Sequence, residues 1–316
     1  MIKNIEKIDK RGWSRERWLQ ERRKGIGGSE AAAVVGLNPY ASPFSVWADK
    51  LGELKEKETT EAMRQGTDLE DYVARRFSEQ TGKKIRQSGF MYRNPAYPWA
   101  LANVDRLIVG EDAGLECKTT SQLNLRKFKN GEFPANYYAQ CVHYMAVTGC
   151  QRWYLAVLIY STEFKVFVIE RDEDEIKALM DAERDLWKHV QNQTPPETDG
   201  SKATTDALSQ IYAGTYEDSP VDLTPVKANL ARLASLKASV KRLEEGIAAE
   251  ENAIKRYMGE SVYGKTPDGW SVSWKNQTRR TFDHKSFLLV HPSTDAEDYY
   301  KTSKSRQFRI NYKEEN

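Results

Sequence analysis

The chain has 316 residues and a mass of 36.3 kDa, enough to bury a large core as one domain or as a domain with an appendage. Its 48 Lys and Arg nearly balance 46 Asp and Glu, which excludes a globally basic coat and confines any nucleic-acid site to a local patch. Three cysteines without a CxxC pair argue against a disulfide framework, a zinc site or an iron–sulfur cluster. A charged N-terminus and the lack of any 18-residue apolar stretch lead to the expectation of a cytoplasmic protein without a membrane segment.

Residues 1–24 mix Arg11, Arg15, Arg17, Arg22, Arg23 and Lys24 with Trp13 and Trp18. The pattern predicts an amphipathic helix over Ser14–Arg23, docked through Trp18 and Leu19. Its last arginines have two readings, a solvated face or a face turned to a phosphate. Gly27, Gly28 and Ser29 stand before Ala31–Val35, a good helix start. Such a turn leaves backbone N–H groups for an anion, and Ser29 by itself reads equally as an N-cap. Phe44–Leu51 predicts a short helix with Phe44, Trp47 and Leu51 inward. Glu61–Gln80 predicts a longer one with Met63, Gly66, Leu69, Val73 and Phe77 on one stripe. Glu70 lies on that stripe. An acid on a buried helix face needs a base, such as Arg64 or Arg106, or a metal ion.

Lys84–Tyr92 reads as a strand. Leu101–Val109 reads as another, interrupted by Asn103, Asp105 and Arg106, and Gly110–Gly114 as a tight turn into a strand carrying Glu116, Cys117 and Lys118. Alternation puts Glu116 and Lys118 on one face and Cys117 on the other. The hairpin therefore gathers Asp105, Glu116 and Lys118. A solvated rim explains such residues near a turn. Two hard carboxylates beside a cation also suit Mg²⁺ or Mn²⁺ and a water poised to attack phosphorus. The mid-chain position, among core-like segments where charges are costly, favours the second.

Ser121–Phe133 is a polar, basic connection. Asn136–Thr148 predicts a helix whose stripe is Tyr137, Cys141, Tyr144, Met145 and Thr148, with Gln140 on its rim and His143 structural. Arg152–Tyr160 and Glu163–Ile169 alternate as a hairpin, and Asp172–Val190 is an amphipathic helix capped by Asp172. The order α, β, β, β, α, β, β, α matches an α/β core with a mixed central sheet flanked by helices. A linker at 193–222 follows, with a short helix at Thr205–Tyr212. A helix over Leu223–Met258 then has apolar residues three and four apart, suited to packing on its own domain or on a second helix, or to binding a partner. The tail reads as a small basic β-containing piece: Trp270–Trp274 is expected to pair with Phe308–Tyr312. Lys275, Arg279, Arg280, Lys285, Lys301, Lys304, Arg306 and Arg309 lie among Trp274, Tyr299 and Tyr300. These suit a phosphate backbone and a solvated surface equally.

The segments ANVDRL and LECKTT resemble the Asp…Glu-x-Lys signature of PD-(D/E)XK nucleases, and RKGIGGSEAAAVVGLNPYASPFSVW resembles the opening motif of YqaJ-type phage exonucleases, relatives of lambda exonuclease. With the helix Glu and YYAQCVHYM, the resemblance covers roughly Arg11 to Lys188. It implies a restriction-endonuclease-like fold for a nuclease domain over 1–192, to which the residue pattern adds a long-helix and β appendage over 223–316. It further implies a Mg²⁺-dependent 5′-to-3′ exonuclease on linear double-stranded DNA, with Mn²⁺ as a substitute, leaving 3′ tails for a single-strand annealing protein. Asp105, Glu116, Glu70 and the Cys117 carbonyl fall on the metal positions, Lys118 and Gln140 on positions beside the water and scissile phosphate, and Arg22 and Ser29 on the 5′-phosphate pocket. That pocket's further Ser is replaced here by Asn103. The resemblance also implies a homotrimer around DNA. The alternatives are an endonuclease with the same core, or a non-catalytic DNA-binding scaffold using the long helix and basic tail.

Overall fold

Two sheets and the helices packed on them form the first unit of the computed structural model, which describes residues 5–56, 58–160, 162–214 and 219–291. The elements of this unit are β1 (Glu6–Asp9), α1 (Arg15–Arg22), β2 (Ile26–Gly27), α2 (Gly28–Val34), α3 (Pro43–Lys50), α4 (Glu61–Thr81), β3 (Ile85–Gln87), β4 (Phe90–Asn94), β5 (Tyr97–Ala102), β6 (Arg106–Ile108), β7 (Ala113–Thr120), α5 (Ala135–Thr148), β8 (Arg152–Ile159), β9 (Glu163–Glu170), α6 (Glu173–Gln191) and α7 (Lys202–Ile211). The larger sheet has the order β3-β6-β7-β8-β9, parallel at β7–β8 and antiparallel elsewhere. The smaller has the order β1-β4-β5-β2.

Strand alternation divides the core. Trp153, Leu155 and Val157 of β8 join Cys141, Met145 and their neighbours on α5, while Tyr154 and Ala156 join Leu115 and the α4 residues Val73, Ala74 and Phe77. The large sheet thus lies between α4 and α5, a mixed α/β layer structure. α4 keeps the expected inward turn at Val73 and Phe77, but Met63, near its start, is 52% exposed. α5 is more deeply enclosed than its stripe suggested, because every residue from Ala139 to Thr148 is buried.

Two expected strands each divide between the sheets. The segment 84–92 splits into β3 and β4, and 101–109 splits into β5 and β6, each half joining a different sheet. Neither segment alternates strictly: Ser88–Gly89 interrupts the first and Asn103–Asp105 the second, and the chain changes sheet at those interruptions. The break at 103–105 leaves Asp105 just where the chain passes from one sheet to the other.

Part of the expected linker is core. α7 buries Ala207 with Phe44, Trp47 and Leu186, and its Thr204 hydroxyl donates to Ser42 at 2.7 Å. The compact unit accordingly extends to Gly214. The second unit, from Thr215, holds α8 (Lys227–Met258), β10 (Tyr263–Lys265), β11 (Ser271–Ser273) and α9 (His284–Val290). β11 pairs antiparallel with β10, and the Phe308–Tyr312 segment expected as its partner lies outside the described residues, as do Tyr299, Tyr300, Lys301, Lys304, Arg306 and Arg309. Among the described residues no helix is long and apolar enough to cross a membrane.

Candidate active site

Asp105 owes its position to the change of sheet. β6 pairs with β7 only through Arg106–Leu115 and Leu107–Gly114, so the β7 amides beyond Leu115 extend past their neighbour on that side. The Cys117 N–H donates instead to Asp105 Oδ2 at 2.8 Å. Glu116 and Lys118 project to the α5 face, as the alternation required. Lys118 Nζ donates to Glu116 Oε1 at 2.5 Å and lies 5.3 Å from the Tyr137 ring centroid. Gln140 is buried rather than on the rim: its Nε2 donates to the same Glu116 oxygen at 2.7 Å and to the Tyr144 hydroxyl at 2.9 Å. The Tyr144 hydroxyl in turn donates to the Asn103 carbonyl at 3.1 Å. Four of the expected residues, Asp105, Glu116, Lys118 and Gln140, are therefore drawn together.

The electrostatics of this group are unbalanced toward negative charge. Burial pushes the Asp105 carboxyl well above the ordinary carboxylate range, and the charges of Glu116 and Glu70 push it further. Burial opposes the charge on Lys118, but Glu116 and Asp105 outweigh it and raise the ammonium above its usual range. Glu116 Oε2 is buried without a hydrogen-bond partner. A buried carboxylate oxygen left unpaired is costly and is a natural ligand for a cation.

Glu70 realises the ion pair, one of its two open readings. Arg106 Nη1 donates to its Oε1 at 2.6 Å, and Arg106 Nη2 bonds Asp71. Consistent with this, no three His, Cys, Asp or Glu side chains among the described residues converge as a ready-made cation site. The donor set nonetheless fits a hard divalent ion at Asp105 and Glu116, where oxygens are present and one is orphaned.

Arg22 and Ser29 meet on the other side of a cleft of about 200 Å³ lined also by Trp18, Gly28, Asn103, Asp105 and Tyr144. α1 starts at the Ser14 cap and ends at Arg22, whose guanidinium lies 5.4 Å from the Trp18 ring centroid and donates to Ser29 Oγ at 3.3 Å. Ser29 is not the helix cap; that position is Gly27. Nor is the glycine turn wholly free for an anion, because the Gly27 N–H donates to Glu30 Oε2 at 2.8 Å. Gly28 packs so closely on Tyr144 that a Cβ there would stand 2.5 Å from the ring.

Sequence reasoning missed the group that holds Arg22. Glu30 is buried and accepts from Arg22 Nη2 at 2.8 Å and pairs with Lys50 Nζ at 2.6 Å; Lys50, with its side chain wholly buried, also donates to the Arg22 carbonyl at 3.1 Å. Burial would raise the Glu30 carboxyl, but Lys50 and Arg22 reverse this and hold it at about 2. Glu30 stands three residues after the cap Gly27, the spacing of a capping-box Glu, but without a Ser or Thr at the cap the motif is incomplete; Lys50 carries no such signal. Lys10, bonded to the Asn103 side chain, was equally illegible. His143 is structural as expected, bonded to the buried Glu183 at 2.7 Å and to the Leu101 carbonyl at 3.0 Å.

The mixed sheet between helices, with Asp105 at its crossing and Glu116-x-Lys118 on the adjacent strand, defines a mixed α/β protein. A family model described as the YqaJ-like viral recombinase domain matches residues 17–151. The uncharacterized protein YqaJ of Bacillus subtilis (strain 168) is 38% identical over 301 residues, spanning 94% of this chain and 93% of that protein. The chain belongs to the YqaJ family. Among solved structures, LHK-Exo, an alkaline exonuclease from Laribacter hongkongensis, is 21% identical with a TM-score of 0.49, covering 56% of this chain and 93% of that one. A putative exonuclease from Eubacterium rectale is 12% identical with a TM-score of 0.42, covering 68% and 98%.

Proposed function

We propose that this protein is a metal-dependent 5′-to-3′ exonuclease that digests one strand of linear double-stranded DNA. The observation that carries this reading is the cleft: a guanidinium and a hydroxyl, Arg22 and Ser29, line the same space as the acidic residue Asp105. Anion donors set beside cation ligands suit a terminal phosphate held next to the bond to be cut, and that arrangement favours action from an end over cutting within a duplex. The resemblance of the motifs to lambda-type exonucleases, and membership of a family described as viral recombinases, support it.

Asp105 and Glu116 would hold Mg²⁺ or Mn²⁺, with the Cys117 carbonyl as the further ligand; Glu70 would join them only on leaving Arg106. Bound there, the ion acts as a Lewis acid and lowers the pKa of water. Lys118, kept protonated by Glu116 and Asp105, orients the attacking water and donates toward developing negative charge. Gln140 fixes the Glu116 carboxylate by its 2.7 Å bond and, through Tyr144, the backbone at Asn103. Arg22 and Ser29 grip the 5′-phosphate, so that each cut presents a new end to the same donors. The same reading places the protein in the cytoplasm, handing its 3′ tails to a single-strand annealing protein, with three nuclease units encircling the duplex.

Three substrates with Mg²⁺ test this: a linear duplex with 5′-phosphates, the same duplex with 5′-hydroxyls, and a covalently closed circle. Nucleotide release from the phosphorylated linear duplex, with the circle intact, is expected. Cutting of the circle would make the protein an endonuclease, and inertness toward all three would leave a DNA-binding scaffold.

A further inference from the structure

The second unit holds a feature that the nuclease reading does not use. α8 runs for 32 residues, and none of them is buried. Its apolar residues are nevertheless ordered. Leu233, Val240, Ile247 and Ile254 follow one another at intervals of seven, and Val226, just before the helix, continues the series. Leu236 and Leu243 stand three residues after two of them. A series sustained over three or four heptads is the signature of a helix that winds on another helix. The side chains are in contact with water: Val240 is 53% exposed, Leu243 68% and Ile247 60%. An apolar seam of this length left in solvent marks an interface.

Charge names the occupant. The first half of the helix, residues 227–242, carries Lys227, Arg232, Lys237, Lys241 and Arg242 and no acid. The second half, residues 243–258, carries Glu244, Glu245, Glu250 and Glu251 against Lys255 and Arg256. Each half attracts the other half of an identical helix running the opposite way. A parallel pair would set the five basic residues of one chain along the five of its neighbour. We propose that α8 is an antiparallel coiled-coil interface between two copies of this chain. One register puts apolar residues face to face in the central layers and a polar residue opposite an apolar one in the layers outside them. Val240 faces Leu243 of the second copy, Ile247 faces Leu236, and Leu233 faces Glu250. The two polar members of the seam, Asn229 and Glu250, then fall in different layers from one another, and Lys237 comes beside Glu244 of the second copy. The pairing is self-complementary, as a two-fold interface must be.

Light scattering on the full chain at micromolar concentration is the test, with charge variants beside the wild type. The wild type is expected at an even multiple of the chain mass, two copies or six where nuclease units also assemble in threes. Arg232→Glu, Lys237→Glu and Lys241→Glu together make both halves acidic and should raise the concentration for half-dissociation at least tenfold. Adding Glu244→Lys, Glu250→Lys and Glu251→Lys exchanges the two signs and should restore the wild-type mass. Orientation is read by mixing differently tagged Leu236→Cys and Ile247→Cys chains under mild oxidation, where cross-links between the two variants are expected to exceed links within either. A wild-type mass of one or three copies overturns the proposal. So does an unchanged mass in the triple variant, failure of the sixfold variant to recover with helix content intact by circular dichroism, or cross-links confined to like positions. In each of those cases the seam has another occupant. None of these outcomes depends on nuclease activity.

Discussion

Replacing Glu30 by Gln should expose how strongly the Arg22 pocket depends on one buried carboxylate. Glu30 accepts from Arg22 at 2.8 Å and from the Gly27 amide at 2.8 Å, and lies 2.6 Å from Lys50. These partners hold its carboxyl at about 2 against an ordinary 4.5. The difference, at about 1.4 kcal/mol per pH unit, corresponds to about 3 kcal/mol of folding stability. The sign follows from the direction of the shift. A depressed carboxyl stabilises the fold above its unfolded value, near 4.5, and that stability disappears as pH falls through about 2. More than half should be gone by pH 3. Urea unfolding of the wild type and Glu30→Gln from pH 7 to pH 3 isolates this contribution, because other groups titrate alike in both. The gap between the two proteins should narrow by about 2 kcal/mol over that range. A gap that stays constant would refute the assignment of Glu30 as an ionised, buried anchor.

Arg22→Ala should lose most of any preference for a 5′-phosphate over a 5′-hydroxyl end, by about 2 kcal/mol or roughly 30-fold, measured as the ratio of digestion rates. Equal wild-type rates on the two ends would remove the pocket from the mechanism. Asp105→Asn should abolish cleavage yet raise the melting temperature in metal-free buffer. Its carboxyl titrates high, so the stability it lends is present at acid pH and lost as pH rises through that raised value, above which a repelled charge is left. Mg²⁺ should stabilise the wild type in the same melting assay and leave Asp105→Asn unmoved. Gly28→Ala drives a methyl group into the Tyr144 ring and should cost about 1–3 kcal/mol in urea unfolding, with Gly28→Ser no better.

Much of this protein was legible before any coordinates. Periodicity located α1, α4, α5, α6 and the β8–β9 hairpin; α4 and α6 each bury one stripe, and their apolar spacing records which. Alternation alone put Glu116 and Lys118 on a common face. The short helix α7 was visible as a helix but not as core, since its burial depends on Ser42, Phe44 and Trp47, which are far away in sequence. The crossing at 103–105 was hidden for a related reason. Sheet membership is decided by which strands lie alongside, and the residues of one segment do not record that. Likewise the fate of Glu70 rested on Arg106, one of two bases the sequence offered. The pairing of Glu30 with Lys50 rests on α2 and α3 meeting inside the fold. Local periods are written in neighbouring residues and survive reading in one dimension; the partner of a buried charge is chosen in three, by whichever opposite charge the packed chain brings within reach.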